Sequence, residues 1–183
     1  MVVGENAEVI SVSLSRDHSF GKRPTDSIDL IEGIGVAGDA HSGVTVQHLS
    51  RIRRNPSTPN LRQVHLLHAE LFDDLRAHGH VVRPGELGEN ITTRGIDLLG
   101  LPVGARLVIA DAVIAVTGLR NPCRQIDSFQ AGLLGQVLRK GPDGEVERLA
   151  GVMGTVARGG RIRTGDSIIV ELPPEPRRPL TPV

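Results

Sequence analysis

The apolar positions of this chain fall in short runs. Ala7 to Leu14, Gln63 to Leu67, Asn90 to Thr93, Ala105 to Ile109, Val113 to Thr117, Gly151 to Ala157 and Asp166 to Leu172 are all brief, and most are rich in Val, Ile or Thr. Such side chains favour extended backbone. Gly and Pro punctuate the intervals, and runs this closely spaced leave no room for the crossover helices of a doubly wound sheet. Ala110-Asp111-Ala112 separates two runs as a hairpin turn would, and Gly159-Gly160 separates two more, so antiparallel neighbours are expected at both places. Helical periodicity is confined to two segments. His68 to His78 places Leu71, Phe72 and Leu75 on one face and stops at Gly79, while Ser128 to Leu138 is interrupted by Gly132 and Gly135. The pattern predicts an all-β fold: a closed or nearly closed β-barrel, which hides strand edges, with one or two appended short helices.

Two segments are poor core material. Arg51 to Asn60, RIRRNPSTPN, combines a basic cluster with two prolines and reads as an exposed loop. Pro173 to Val183 holds five of the twelve prolines and reads as an extended tail. The expected organisation is one domain over residues 5–172 followed by the tail at 173–183. Composition adds exclusions. The chain has 183 residues with 21 Lys and Arg against 21 Asp and Glu. That balance argues against a dedicated nucleic-acid or anionic-membrane binder, which needs a basic excess. A single cysteine, Cys123, rules out an internal disulfide, a multi-cysteine zinc site and an iron-sulfur cluster held by this chain alone. It fits a reducing compartment. With no apolar run near the ~18 residues of a spanning helix, and no signal-peptide pattern in MVVGENAEVI, a soluble cytoplasmic protein is expected. Only Phe20, Phe72 and Phe129 are aromatic, so backbone amides, arginines and small side chains would have to hold any cofactor.

The stretch richest in chemistry is Thr117 to Ile126, TGLRNPCRQI. Pro122 fixes its own φ and drives Asn121 toward extended backbone, so Cys123 stands just past a rigid corner, between Arg120 and Arg124. Positive neighbours and a helix start would favour the thiolate, the form that reacts or binds metal. A small buried core residue is the alternative. In PGELGENITTRG, from Pro84 to Gly95, Gly85 and Gly88 permit close approach of a ligand, and Asn90, Thr92, Thr93 and Arg94 offer hydrogen bonds. An ordinary turn and edge strand would look the same. In VAGDAHSG, Asp39 and His41 could orient a base or cap a turn. His68-Ala69-Glu70 with Pro122-Cys123 echoes the zinc deaminase arrangement, but Ile126 stands where its second cysteine belongs.

Taken in order, GVAGDAHSG, NLRQVHLLHAE, PGELGENITTRGIDL, LPVGARLVI, VTGLRNPC and AGVMGTVARGGRIRTGD resemble the MOSC domain, the family named after the C-terminal part of molybdenum cofactor sulfurase. The likeness spans roughly Glu5 to Glu171 and is to stand-alone bacterial members. It implies a β-barrel that binds the molybdenum cofactor (molybdopterin). It also implies that Cys123 is the signature cysteine, a metal ligand in some members and a persulfide carrier in others, and that the segment with Gly88, Asn90 and Thr92 lines the pocket. One thiolate is enough when a dithiolene holds the metal. Arg120, Arg124, Arg94 and Arg62 are candidates for the pterin's phosphate, with Asn121 and His41 as further cofactor contacts. The resemblance implies an oxidoreductase component that reduces N-hydroxylated compounds. Sulfur transfer through Cys123 and a non-catalytic small-ligand barrel are the alternatives. Without a flavin, iron-sulfur or aminotransferase-like domain, it would need a separate electron-donor or sulfur-donor protein besides its small-molecule substrate.

Overall fold

A computed structural model describes residues 7–183, so Glu5 and Asn6, at the expected start of the domain, lie outside the described residues. In chain order the elements are β1 (Glu8–Leu14), β2 (Arg23–Thr25), β3 (Ser27–Ile31), β4 (Gly35–Val36), α1 (Leu49–Ile52), β5 (Val64–His68), α2 (Glu70–Ala77), β6 (Ile91–Arg94), β7 (Arg106–Ile109), β8 (Ala112–Leu119), α3 (Gln125–Phe129), α4 (Leu133–Val137), β9 (Leu138–Lys140), β10 (Val146–Arg148), β11 (Val152–Arg158), β12 (Gly160–Arg163) and β13 (Ile168–Glu171). The fold is mostly β, and all seven apolar runs of the sequence become strands. Eight strands form one curled sheet in the order β13-β7-β8-β11-β5-β6-β1-β2, and β12-β3-β4 form a second.

The main sheet is an open half-barrel, which corrects the expectation of closure. The turn before β13 touches β1 through the Glu8–Ser167 bridge and a Val9 N–H to Asp166 C=O bond of 2.9 Å. No continuous ladder follows, because β1 bulges between Val9 and Ser11 and its far half pairs with β2. The second sheet covers the inner face instead. Its Ile28, Leu30 and Ile162 are buried with Val9, Leu66, Ile91, Leu107, Ile114 and Val152 of the main sheet. Covering the apolar face makes closure unnecessary.

Strand β5 shows why its segment reads as an unbroken apolar run. Val64 and Leu66 face the inner core, while Leu67 packs outward with Leu71, Phe72 and Leu75 of α2, Ile126 of α3, and Leu133 and Val137 of α4. A strand buried on both faces loses its alternation. β5 pairs in parallel with β6, and α2 makes the crossover. The hairpin at Ala110-Asp111 forms as expected, with Ile109 opposite Ala112. The one at Gly159-Gly160 does not: β11 stays in the main sheet and β12 leaves to pair with β3. Where the chain changes sheets, Gly160 lies so close to Asp111 and Ala112 that a Cβ would meet backbone at 2.6 Å. Among the described residues, four short helices stand where one or two were expected. The segment Ser128 to Leu138 breaks into the end of α3 and α4 at Gly132, which sits at φ 83°. Within RIRRNPSTPN, Arg51 and Ile52 close α1 rather than lying in loop.

Residues beyond Pro173 run back over the domain. Val103 N–H donates to Arg178 C=O at 2.9 Å, and Leu119 N–H donates to Thr181 C=O at 2.8 Å. Gly118 makes room for this crossing, since a Cβ there would meet Thr181 O and Val183 Cγ1 at 2.5 Å. No helix among the described residues is long and apolar enough to cross a membrane.

Candidate functional site

Where β8 ends, the backbone turns at buried Pro122 and delivers Cys123 to the surface, and Ile126 pins the following turn into the apolar cluster beneath. Cys123 is exposed, with Sγ 3.5 Å from Gln125 Oε1. It borders a cavity of about 260 Å³ walled by the loops at 19–22 and 41–62, the turn at 88–90, the end of β8 and Met153. No Asp or Glu is among the side chains lining this cavity, whereas Lys22, Arg51, Arg62, Arg120, His41, His48 and His65 all are. The field inside is positive.

Arg120 is the decisive side chain. It is 8% exposed, and its Nη1 has no hydrogen-bond partner among the described residues. Burial pushes its pKa below the ordinary value, with Cys123 and Glu89 opposing the shift by attraction. Leaving a buried guanidinium nitrogen unbonded is costly, and an acceptor in the cavity would relieve that cost. Arg62 is lowered to about 10, by burial first and then by repulsion from Arg51 and Arg120. It remains a cation at neutral pH, and its Nη1 donates to Val183 C=O at 3.0 Å. His65 is buried, and its Nε2 lies 2.8 Å from Ala150 C=O. Burial and then Arg120 hold its pKa well below the imidazole norm, so it stays neutral.

Beneath one wall lies a carboxylate hub. Asp39 accepts from Lys22 Nζ at 2.6 Å, Asn90 Nδ2 at 3.0 Å, Ser15 N–H at 3.2 Å and His41 N–H at 2.9 Å. His41 Nδ1 stands 3.4 Å from Oδ1, the oxygen that also takes the His41 N–H, while the other three donors share Oδ2. Burial alone would raise the Asp39 pKa, but the His41 hydrogen bond and the Lys22 charge overcome it and hold the carboxyl well below its ordinary range. Burial pulls the Lys22 pKa down while the Asp39 charge and hydrogen bond pull it back up, so the 2.6 Å contact is an ion pair held against the desolvation of its lysine. It joins the turn at Lys22, the Asp39 loop and Asn90 into one wall, and it fixes the His41 ring at the cavity. Fully buried Glu89 ties the neighbouring segment by accepting from Gly85 N–H at 2.6 Å and Thr92 Oγ1 at 3.1 Å. Its pKa is raised, by burial above all.

Of the residues singled out in the sequence, Cys123, Arg120, Asn121, Arg62, Gly88, Asn90 and His41 meet around this cavity. Three of the candidate cofactor contacts do not line it. Thr92 is buried against Glu89, Arg94 points away into a 3.6 Å pair with Asp73, and Arg124 is exposed at the start of α3. Sequence reasoning missed Lys22, Arg51, His48, Asn60 and His65. Lys22 carries the one usable signal, since a chain with only two lysines places one of them in the fold's buried ion pair. A wider, more open depression of about 370 Å³ near His68, Glu70 and Asp97 has neither thiol nor arginine.

The family model for the MOSC domain matches residues 39–169. The chain belongs to the MOSC domain family. Its match begins at Asp39 and contains every residue of the cavity except those on the Ser19–Lys22 turn. The crystal structure of the YuaD protein from Bacillus subtilis is similar over 90% of this chain and 94% of that one, with 26% identity and a TM-score of 0.74. YiiM from Geobacillus stearothermophilus shares the fold at 15% identity, with a TM-score of 0.61 over 91% of this chain and 75% of that one. YiiM from Escherichia coli does so at 17% and 0.58, over 94% and 71%. No protein of curated function matches the sequence. MOSC domains are generally associated with binding the molybdenum cofactor.

Proposed function

We propose that this MOSC domain binds the molybdenum cofactor in the 260 Å³ cavity and serves as the substrate-reducing component of an oxidoreductase for N-hydroxylated compounds. The observation that carries the reading is the unpaired, buried Arg120 guanidinium facing an acid-free cavity beside the lone thiol. The residues present fit such a group. Cys123 would supply the thiolate ligand to the metal, and Arg120 and Arg62 would hold the pterin phosphate, a task suited to the planar guanidinium. Asn121, Gly88 and Asn90 would form the walls. When bound, the cofactor supplies a two-electron redox centre. The chain itself excludes carboxylates that would repel the phosphate, and it fixes His41 at the rim through Asp39.

A separate protein must provide the electrons, and the same reading puts the protein in a reducing compartment, the cytoplasm. Exposure of Cys123 favours one second reading, in which its thiolate attacks the outer sulfur of a donor protein's persulfide, the donor leaves as its thiolate, and Cys123 carries the persulfide. Native protein purified from cells with an intact cofactor pathway tests both. The first reading expects near-stoichiometric molybdenum and recoverable pterin, lost in Cys123→Ser. The second expects a sulfur adduct on Cys123 by intact mass and no metal. If neither is found, the domain is a non-catalytic ligand-binding module.

A further inference from the structure

Between Asp39 and Glu70 the chain runs through thirty residues without a single carboxylate, yet it places Arg51, Arg53, Arg54 and Arg62 there. In a chain of zero formal charge this is a segregated block. Arg62 and part of Arg51 turn into the cavity, while Arg53 and Arg54 are exposed. None of Arg51, Arg53 and Arg54 makes an ion pair among the described residues, although Arg76, Arg94, Arg106, Arg139, Arg161 and Arg177 all do. Three large apolar side chains stand exposed on the same loop: Val44 at 68%, Leu49 at 52% and Leu61 at 46%. The loop is a built structure. Buried Asn60 donates through Nδ2 to the carbonyls of His41 and Gly43, both at 3.0 Å, and Val46 N–H donates to Thr58 C=O at 2.9 Å.

We propose that this rim of the cavity is the docking face for an acidic protein surface, with Arg53 and Arg54 steering the approach and Val44, Leu49 and Leu61 forming the dry centre. Unpaired cations around an apolar centre are the complement of an acidic protein face. Duplex or single-stranded nucleic acid fits less well, since the loop carries no Phe, Tyr or Trp and the chain as a whole has no basic excess. Because Arg51 belongs both to the rim and to the cavity wall, a protein seated here stands over the mouth that leads to Cys123. The docking argument rests on charge and exposure. That the partner is the electron or sulfur donor rests on the function proposed above.

The test uses cofactor-free full chain and two strongly acidic redox proteins as probes, a flavodoxin and a plant-type [2Fe–2S] ferredoxin, with binding measured by calorimetry. At about 50 mM salt at least one should bind with Kd below about 100 µM, weakening roughly tenfold by about 300 mM as exposed charges are screened. Arg53→Glu together with Arg54→Glu should weaken that binding by at least about tenfold. Its melting temperature and its affinity for inorganic phosphate should stay unchanged. Cys123→Ser should bind the probes as the wild type does. Binding by neither probe, indifference to the charge reversal, or tighter binding to duplex DNA or to phosphatidylglycerol vesicles would each overturn the proposal. A protein without molybdenum or sulfur that still docks acidic probes would sink the proposed function and leave this surface standing.

Discussion

Replacing Lys22 with Met isolates the buried pair on which the cavity wall depends. The variant keeps the length of the side chain and removes its charge, leaving Asp39 with a side chain 1% exposed and no countercharge. Breaking a buried pair from one side costs about 3–5 kcal/mol. Asp39 retains donors from Ser15, His41 and Asn90, so the lower end, about 3 kcal/mol, is expected. For a domain of this size that lowers the melting temperature by about 6–12 °C at pH 7. The pH dependence gives the sign. Asp39 has a folded pKa depressed below its unfolded value of 3.8, so its stabilisation is fully present above that value and is lost as pH falls through the folded pKa. Lys22→Met forfeits much of this contribution, and its deficit relative to wild type should shrink as the pH is lowered from 7 toward and below 3.8. The double variant with Asp39→Asn should recover part of the loss at pH 7, because no bare charge remains. Melting curves of wild type, Lys22→Met, Asp39→Asn and the double variant between neutral and acid pH decide the matter. A single variant within about 1 kcal/mol of wild type, or a double variant no better than the single, would refute the reasoning.

Other substitutions follow from the same geometry. Cys123→Ser, at an exposed position, should shift stability by less than about 0.5 kcal/mol by thermal melting while abolishing cofactor or sulfur retention by metal and mass analysis. Arg120→Gln should leave the ligand-free fold at least as stable, since it removes a buried orphan donor, while weakening phosphate binding several-fold by titration. Gly118→Val should unseat residues 181–183 from β8, read as faster amide exchange at Leu119, whose N–H donates to Thr181. Gly151→Ala should destabilise the fold strongly in chemical denaturation, since its φ of +84° strains any L side chain and the added carbon would clash with Leu66 C=O.

Seven strands were legible because their Val, Ile and Leu side chains are buried, and burial imposes a visible pattern. Strands β2, β9 and β10, Arg-Pro-Thr, Leu-Arg-Lys and Val-Glu-Arg, carry no such signal, since they are short and none of their side chains is buried; β9 pairs with β10 and β2 with β1. Ser27 to Ile31 does alternate, with Ile28 and Leu30 buried and Asp29 and Ile31 exposed, but it sits among charged neighbours that mask it. The cavity divides in the same way. Arg120, Asn121 and Cys123 are legible as a local motif at a proline corner, because backbone rules act over two or three residues. Lys22 and Asp39 are not legible as a pair, because a contact across 17 residues depends on how β1 and the loop after β4 fold together. Arg94 looked like a site residue by its place in PGELGENITTRG, but β6 ends there and the last side chain faces solvent.

The parallel pairing of β5 with β6 also bears on how the site comes into being. Its walls derive from residues 19–22, 41–62, 88–90, 120–125 and 153, and all five come together only once the α2 crossover and the long-range ladders are in place. Chains dominated by such distant pairings fold slowly, because loop-closure entropy must be overcome before the contacts that compensate it can form. During that interval the nascent chain presents its thiol without Arg51 and Arg62, which join it only in the folded cavity. The cavity is thus a late product of folding, and its ability to bind an anion reports on completion of the whole sheet rather than on any one segment.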